Sequence, residues 1–172
     1  NHPEGVPLIQ IIDQTQTAMG ARLLRQWMAF PLKELKLIEE RQERVQDFLE
    51  ETTLLEHTEE ALSKIIDIER VMAKVATEKI SPRALNQLAD SLVVLENFKK
   101  VLMEGSAKHL KVELEKIPSP QEILSILKKT LHPEAPVVVS KGNVIAAGFS
   151  EWLDELRSLR DTSQSHLDAM LE

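Results

Sequence analysis

The strongest structural signal in this 172-residue chain is a helix start followed by a long apolar stripe. The hydroxyl of Ser81 can accept hydrogen bonds from free backbone amides, and Pro82 has a φ angle suited to the first helical turn. Apolar residues then recur every three or four positions on an otherwise polar segment: Leu85, Leu88, Leu92, Leu95, Phe98 and Leu102. The pattern predicts a long amphipathic helix, and therefore a fold in which helices pack on helices.

Other helices are predicted along most of the chain. Thr17 can cap a helix that ends at Phe30, because Pro31 lacks an amide donor. In that helix four large apolar residues share one face: Leu23, Leu24, Trp27 and Met28. Thr53 to Glu56 and Ser119 to Glu122 fit capping boxes. Helical periodicity covers residues 8–14, 35–50, 65–79, 107–116, 120–131 and 149–172.

One segment has a different period. Residues 137–139 and 144–145 are β-branched and flank Lys141-Gly142-Asn143, which suggests two short strands about a tight turn. Gly142 would supply the positive φ of that turn, and Gly148 would end the segment before the last helix. The predicted fold is therefore all-α, an irregular helical bundle with one short β-hairpin.

Composition limits the possible functions. The chain has no cysteine, which excludes disulfides and thiolate metal sites and favours a reducing, cytoplasmic location. Its net charge is −7 and aromatic residues make up 3% of it, so direct nucleic-acid binding by this chain is not expected. No apolar run approaches the roughly 20 residues that a membrane span requires.

Motifs for catalysis or cofactor binding are absent from the sequence. The five glycines are scattered and form neither a phosphate-binding loop nor a dinucleotide fingerprint. His57 lies among Glu56, Glu59 and Glu60, which leaves open a carboxylate-metal site. The favoured interpretation is a solvated acidic face, because no His-Glu-x-x-His motif accompanies it.

A lysine cluster is the best candidate for phosphate contacts. Its members are Lys99, Lys100, Lys108 and Lys111, with Lys128 and Lys129 further along. Glutamates interleave with these lysines, so an ordinary charged helix surface is the favoured interpretation.

Four segments, taken in order, resemble the core or lever domain of the MutS family of DNA mismatch-recognition ATPases. The first, residues 11–27, is similar to the family's Leu-Asp-Arg-Thr-x-Thr-x-Met-Gly-x-Arg-Leu-Leu-Arg-x-Trp signature through Asp13, Thr15, Thr17, Met19, Gly20, Arg22, Leu23, Leu24 and Trp27. The middle segments are Ile68-Glu69-Arg70 and the helix start at Ser81 and Pro82. The last runs from Gly142 to Arg157 and includes Gly148, Phe149, Trp152 and Leu156.

Four departures from the family pattern affect packing and capping rather than chemistry. They are Gln14 for Arg, Ala18 for Pro, Phe149 for Tyr and Ser150 for Asp.

The resemblance implies a non-catalytic domain of a longer parent protein. In the family this domain joins a connector domain to a DNA clamp and to an ATPase that dimerises. ATP, Mg²⁺ and mismatched duplex DNA would be bound elsewhere in the parent, and this chain itself would hold no cofactor or metal. The expected organisation is N-terminal helices (8–80), a long helix with return helices (81–131), the hairpin (132–148), and the start of a lever helix toward the clamp (149–172).

Two alternatives belong to other functional classes. A freestanding helical adaptor could bind partner helices in a groove. A carboxylate-metal enzyme would need other ligands to converge on Glu56, His57 and Glu60.

Overall fold

The structure, a computed structural model, describes the backbone of residues 5–171 and the side chains of residues 5–163. The described part is helical, with irregular connections. The α-helices are α1 (Leu8–Ile12), α2 (Ala18–Ala29), α3 (Leu35–Glu50), α4 (Thr52–Ser63), α5 (Ile68–Ala76), α6 (Pro82–Glu104), α7 (Lys108–Glu115), α8 (Gln121–Thr130) and α9 (Glu151–Leu171). A short 3₁₀ helix covers Val139–Lys141.

Two of the predicted helix starts are confirmed. The hydroxyl of Ser81 accepts a hydrogen bond from the amide of Ala84 at 3.3 Å, and Pro82 occupies the first turn of α6. The hydroxyl of Thr17 accepts one from the amide of Gly20 at 3.0 Å. The two predicted capping boxes are wrong, since α4 and α8 begin without a side-chain cap.

The body of the fold is organised around α6, which packs against α4, α5, α7 and α8, while α3 packs against α4 and α7. Its central cluster joins Leu54, Leu102 and Ala107, with partly buried side chains around them from Phe48, Phe98, Leu110 and Leu114. Residues from four helices and one loop therefore meet at the C-terminal half of α6.

The predicted β-hairpin is wrong, because residues 5–171 contain no β-strand. Residues 137–139 have no partner strand, and the chain turns into the 3₁₀ helix there. The backbone near Ile145 pairs instead with the end of α8, through one isolated antiparallel bridge to Leu131. The amide of His132 donates to the carbonyl of Val144, and that of Ala146 to Thr130, both at 2.9 Å.

Both glycines of this connection have positive φ angles, +74° at Gly142 and +80° at Gly148. The sequence predicted this freedom at Gly142, although the turn it serves ends a 3₁₀ helix rather than joining two strands.

The final helix starts at Glu151 rather than at residue 149. The helical periodicity over residues 149–172 includes Leu167 and Met170, whose side chains lie outside the described residues. Within residues 5–171, no helix has both the length and the apolar character needed to cross a bilayer.

Candidate functional site

The first motif forms a compact turn at the start of α2. The carboxylate of Asp13 accepts hydrogen bonds from the amide (3.1 Å) and the hydroxyl (2.6 Å) of Thr15, and these bonds lower the pKa of Asp13. A Cβ atom at Gly20 would lie 3.1 Å from the Thr17 hydroxyl oxygen. The turn therefore fits closely around glycine at this position.

Arg22 connects this motif to the second one. Its Nη1 and Nη2 atoms donate to the two carboxylate oxygens of Asp67 at 2.9 and 2.8 Å, and Nε donates to Glu69 at 2.9 Å. Nη2 also contacts the same Glu69 oxygen. We call this set of three residues the arginine clasp. It fixes α2 to the start of α5, because Asp67 also accepts from the amide of Arg70 and caps α5.

The charges of the clasp stabilise one another. Hydrogen bonding to Arg22 lowers the pKa of Asp67 to about 2, and the bonds to Asp67 and Glu69 raise the pKa of Arg22 above its usual value. A planar guanidinium matches a carboxylate with two parallel bonds, which fixes direction as well as distance. The clasp is therefore suited to holding the angle between α2 and α5.

Two polar side chains connect α6 to the segments on either side of it. The hydroxyl of Ser91, which is fully buried, accepts from the amide of Ile66 at 3.1 Å and donates to the carbonyl of Gln87 at 2.9 Å. The amide nitrogen of Asn86 donates to the carbonyls of His132 and Pro133 at 2.8 and 2.9 Å. Asn86 therefore holds the connection that follows α8.

The last motif attaches α9 to the same connection. The carboxylate of Asp154 accepts a hydrogen bond from the amide of Gly148 at 2.6 Å and another from Arg157 at 2.9 Å. The other terminal nitrogen of Arg157 donates to the carbonyl of Ile145 at 2.8 Å. We call Asp154 and Arg157, with their contacts to residues 145–148, the α9 anchor. It sets the direction in which α9 leaves the body.

The apolar residues of the first and the last motif do not join the core of the described chain. In the first motif Leu23 and Trp27 are exposed, and Met19 and Leu24 are partly buried. In the last, Phe149, Trp152 and Leu156 are all exposed. The polar motif residues make the contacts between elements, and most of the apolar ones are exposed.

Two acidic residues, Asp47 in α3 and Glu51 just after that helix, have roles that sequence patterns did not reveal. The carboxylate of Asp47, which is buried, accepts from the amides of His109 and Leu110 at 2.9 Å each and caps α7 from another helix. Glu51 accepts from the hydroxyl of Ser106 at 2.6 Å, which lowers the pKa of Glu51. Each carboxylate lies at least 55 residues from its partner in sequence, so neither belongs to a local cap motif. Sequence patterns therefore could not predict these contacts.

The remaining candidates stay apart. Among the described residues no group of three or more His, Asp or Glu side chains could hold a metal ion, so His57 and Glu60 are not joined by further ligands. Glu60 pairs with Lys64 at 2.6 Å. Lys99 donates to the carbonyl of Ile117 at 2.6 Å and fixes the loop after α7.

Comparison with known proteins identifies the family of the chain. Residues 2–172 match the protein family described as MutS domain III. The chain belongs to the MutS domain III family. Among curated proteins, it is 36% identical over 167 residues to the DNA mismatch repair protein MutS of Christiangramia forsetii, which covers 97% of the chain and 19% of that protein. It is 37% identical over 164 residues to the MutS protein of Parabacteroides distasonis, covering 95% of the chain and 19% of that protein.

The domain III chain therefore spans about a fifth of the length of the curated relatives it matches. Domain III is the core domain of a MutS-type mismatch repair protein.

Proposed function

We propose that this domain is the lever of a MutS-type mismatch repair ATPase and couples the nucleotide state of the ATPase to the geometry of the DNA clamp. The curated relatives are named DNA mismatch repair proteins, which supports the biological process. ATP and Mg²⁺ would bind to the ATPase domain of the longer polypeptide, and mismatched duplex DNA would contact its other domains. Connector, clamp and ATPase would be this domain's direct partners, in a cytoplasmic dimer.

The observation that carries this proposal is an unbroken series of polar contacts from α9 to α2. The α9 anchor holds residues 145–148, whose backbone pairs with the end of α8. Asn86 joins the connection after α8 to α6. Ser91 joins α6 to Ile66, two residues before α5, and the arginine clasp joins the start of α5 to α2.

Such a series can transmit rigid-body motion, because each contact fixes a direction and the elements between contacts are helices. The longest of them, α6, has 23 residues and spans about 35 Å at 1.5 Å per residue. Coupling between distant sites requires a connected set of elements that both sites bias. The surrounding core supports the series, since α6 packs against four other helices.

The test uses the full-length protein with Arg157→Ala, which removes the bonds of the α9 anchor to Ile145 and Asp154 but no apolar core residue. ATP changes the rate at which mismatched DNA is released, and we expect the variant to reduce that change by about fivefold or more. Arg160→Ala is the matched control, because Arg160 lies on the same helix and, among the described side chains, pairs with the neighbouring Asp161 at 2.7 Å. An unchanged ATP effect in a variant that melts like the wild type would reject the coupling role.

The alternative of a freestanding helical adaptor is less well supported. Membership of the domain III family and a match to about a fifth of each curated relative favour a domain of a longer protein. The adaptor function would require the isolated chain to bind partner helices with no other domain attached, which pull-down of purified candidate proteins can measure.

A further inference from the structure

Helix α3 has an apolar stripe that the described chain leaves uncovered. Leu35, Ile38, Val45 and Leu49, with Gln42 between them, follow the alternating spacing of three and four that is typical of a coiled-coil seam. Leu35 is 69% exposed, Val45 53% and Leu49 70%, whereas Ile38 is partly buried. The core-facing side of α3 is a different one, since it carries the buried Asp47 and the partly buried Phe48.

The end of α2 turns part of this stripe into a groove. Trp27, Pro31 and Leu32 form one wall, and Ile38, Arg41 and Val45 form the other, around an open volume of about 350 Å³. Trp27 remains 39% exposed in it. We call this surface, with the stripe that extends to Leu49, the α3 groove.

Arg41 gives the groove a charge. Its guanidinium carbon lies 3.5 Å from the centroid of the Trp27 ring, a cation–π contact that fixes the position of the guanidinium. Among the described side chains, none of the carboxylates forms an ion pair with Arg41, in contrast to Arg22, Arg44 and Arg157. A fixed guanidinium beside an apolar groove is complementary to a carboxylate next to large apolar side chains.

We propose that the α3 groove docks an amphipathic helix that has an apolar heptad face and a carboxylate placed to pair with Arg41. The stripe from Leu35 to Leu49 is about 21 Å long, which suits about four turns of a partner helix. We assign this helix to the same longer polypeptide, outside the present chain, because the curated relatives are about five times as long as the matched span. The docking surface does not depend on the coupling role proposed above.

The first experiment measures charge selectivity. For this experiment Trp152 is replaced by Phe, so that Trp27 is the only tryptophan in the chain. Docking is then detected as quenching or a blue shift of Trp27 fluorescence. The probes are two 21-residue helical peptides with leucine at heptad positions a and d, one with glutamate and the other with lysine at e and g. We expect the glutamate peptide to bind roughly tenfold more tightly.

Charge reversal separates docking from a purely structural role of Arg41. Arg41→Glu should invert the preference and select the lysine peptide, whereas a loss of fold would weaken both peptides. Lys36→Glu is the matched control on the same helix, because the side chain of Lys36 is 85% exposed and makes only a 3.9 Å contact with Glu40. Equal affinity of the wild type for both peptides, or an equal effect of the two substitutions, would overturn the proposal.

A second experiment identifies the source of the occupant. A photo-crosslinking p-benzoylphenylalanine replaces Gln42 in the purified full-length protein, with the same replacement at Lys36 as control. Mixed ¹⁴N and ¹⁵N samples distinguish crosslinks within one polypeptide from those between two. We expect an intramolecular crosslink from position 42 to an acidic helix outside residues 1–172. Crosslinks between two copies, or no crosslink from position 42, would overturn the assignment of the helix to the same polypeptide. Neither result would affect the coupling role, which is tested separately with Arg157→Ala.

Discussion

The guanidinium of Arg22 and the carboxylate of Asp67, 45 residues apart in sequence, face each other with two parallel hydrogen bonds of 2.9 and 2.8 Å. The pair joins the first specific motif to the residue just before the second. Arg22 also bonds to Glu69 of the second motif, so both motifs contribute to this contact. The contact between α2 and α5 depends on the charge of Asp67.

That dependence predicts how acid weakens the α2–α5 contact. The pKa of Asp67 is about 2 in the folded chain against 3.8 for an unperturbed aspartate, so its carboxylate stabilises the folded state above about pH 4. The contribution is lost as the pH falls from about 4 toward 2, where the carboxylate is protonated. Asp67→Asn keeps a side-chain oxygen for the α5 cap but removes the charge.

The measurement is the urea midpoint of wild type and Asp67→Asn between pH 2 and 7. We expect the wild type to have the higher midpoint above pH 5, with the difference shrinking between pH 4 and 2. Asp90→Asn on the exposed side of α6 is the control and should leave the midpoint nearly unchanged. A difference that stays constant down to pH 2 would show that charge does not hold this contact.

Ser91, the one serine of α6, should be sensitive to removal of its hydroxyl. Its hydroxyl is fully buried and satisfies the amide of Ile66, which Ser91→Ala would leave without that partner. We expect a loss of about 1–3 kcal/mol in the free energy of unfolding, measured by urea denaturation. Ser125→Ala is the matched control, because the exposed Ser125 hydroxyl only donates to Glu122 within α8, and it should change stability by less than about 0.5 kcal/mol.

The connection before α9 requires glycine for backbone reasons alone. A Cβ atom at Gly142 or Gly148 would meet nothing within 4 Å, yet both residues have positive φ. Gly142 also has ψ of −171°, in a region that other residues rarely adopt. Replacing either with alanine should cost about 1–3 kcal/mol.

Gly105→Ala provides the comparison for these two variants, since Gly105 has φ of −70° and an added Cβ would make only ordinary contacts at 3.6 Å. In calorimetric melting, the alanine variants at Gly142 and Gly148 should have a lower Tm than the wild type. The Gly105→Ala variant should have a Tm close to that of the wild type. Three equal transitions would mean that the backbone of this connection relaxes to accept a side chain.

Much of the helical framework was predictable because its signals are local. Ser81 with Pro82 and Thr17 with Pro31 mark boundaries through hydrogen bonds or missing donors within a few residues. The strand predicted at the valines 137–139 is wrong because that signal is also local. β-Branched residues form a strand only where a partner strand exists. The contacts of Asp47, Arg22 and Asn86 cross between elements, and no local pattern distinguishes these side chains from other charged or polar ones.

The resemblance supplied motif residues but not their roles. It grouped Arg22 with Leu23 and Trp27, whereas the structure separates a polar side that makes contacts from an apolar side that is exposed. It did not include Asp67, which lies one residue before the Ile68-Glu69-Arg70 segment. Pairing between motifs depends on how α2 and α5 approach each other, and sequence periodicity does not give that geometry.

The isolated domain should not respond to nucleotide. A ligand that binds only the folded state at a hundredfold excess over its Kd raises stability by about 2.7 kcal/mol, which thermal melting detects easily. We expect no shift of Tm with millimolar ATP and Mg²⁺, and no release of phosphate. A reproducible shift would mean that this domain holds a nucleotide site of its own.

The last prediction concerns the gradient of local stability along α9. Near its start the helix is fixed by the α9 anchor, but Trp152 is 70% and Leu159 64% exposed, so apolar contacts hold little of the described helix to the body. In α6, by contrast, Leu88, Ala89 and Leu102 are buried. Segments with few buried apolar contacts open locally at a lower free-energy cost than core helices.

Amide exchange measured by NMR or mass spectrometry should therefore be at least about a hundredfold faster over residues 157–163 than over 88–102 in the isolated chain. Arg157→Ala should extend the fast exchange back to residue 151, because it removes the bonds to Ile145 and Asp154. Arg160→Ala should not, since its partner is the adjacent Asp161. Equal protection of both segments in a monomer would show that α9 is held by contacts other than its anchor.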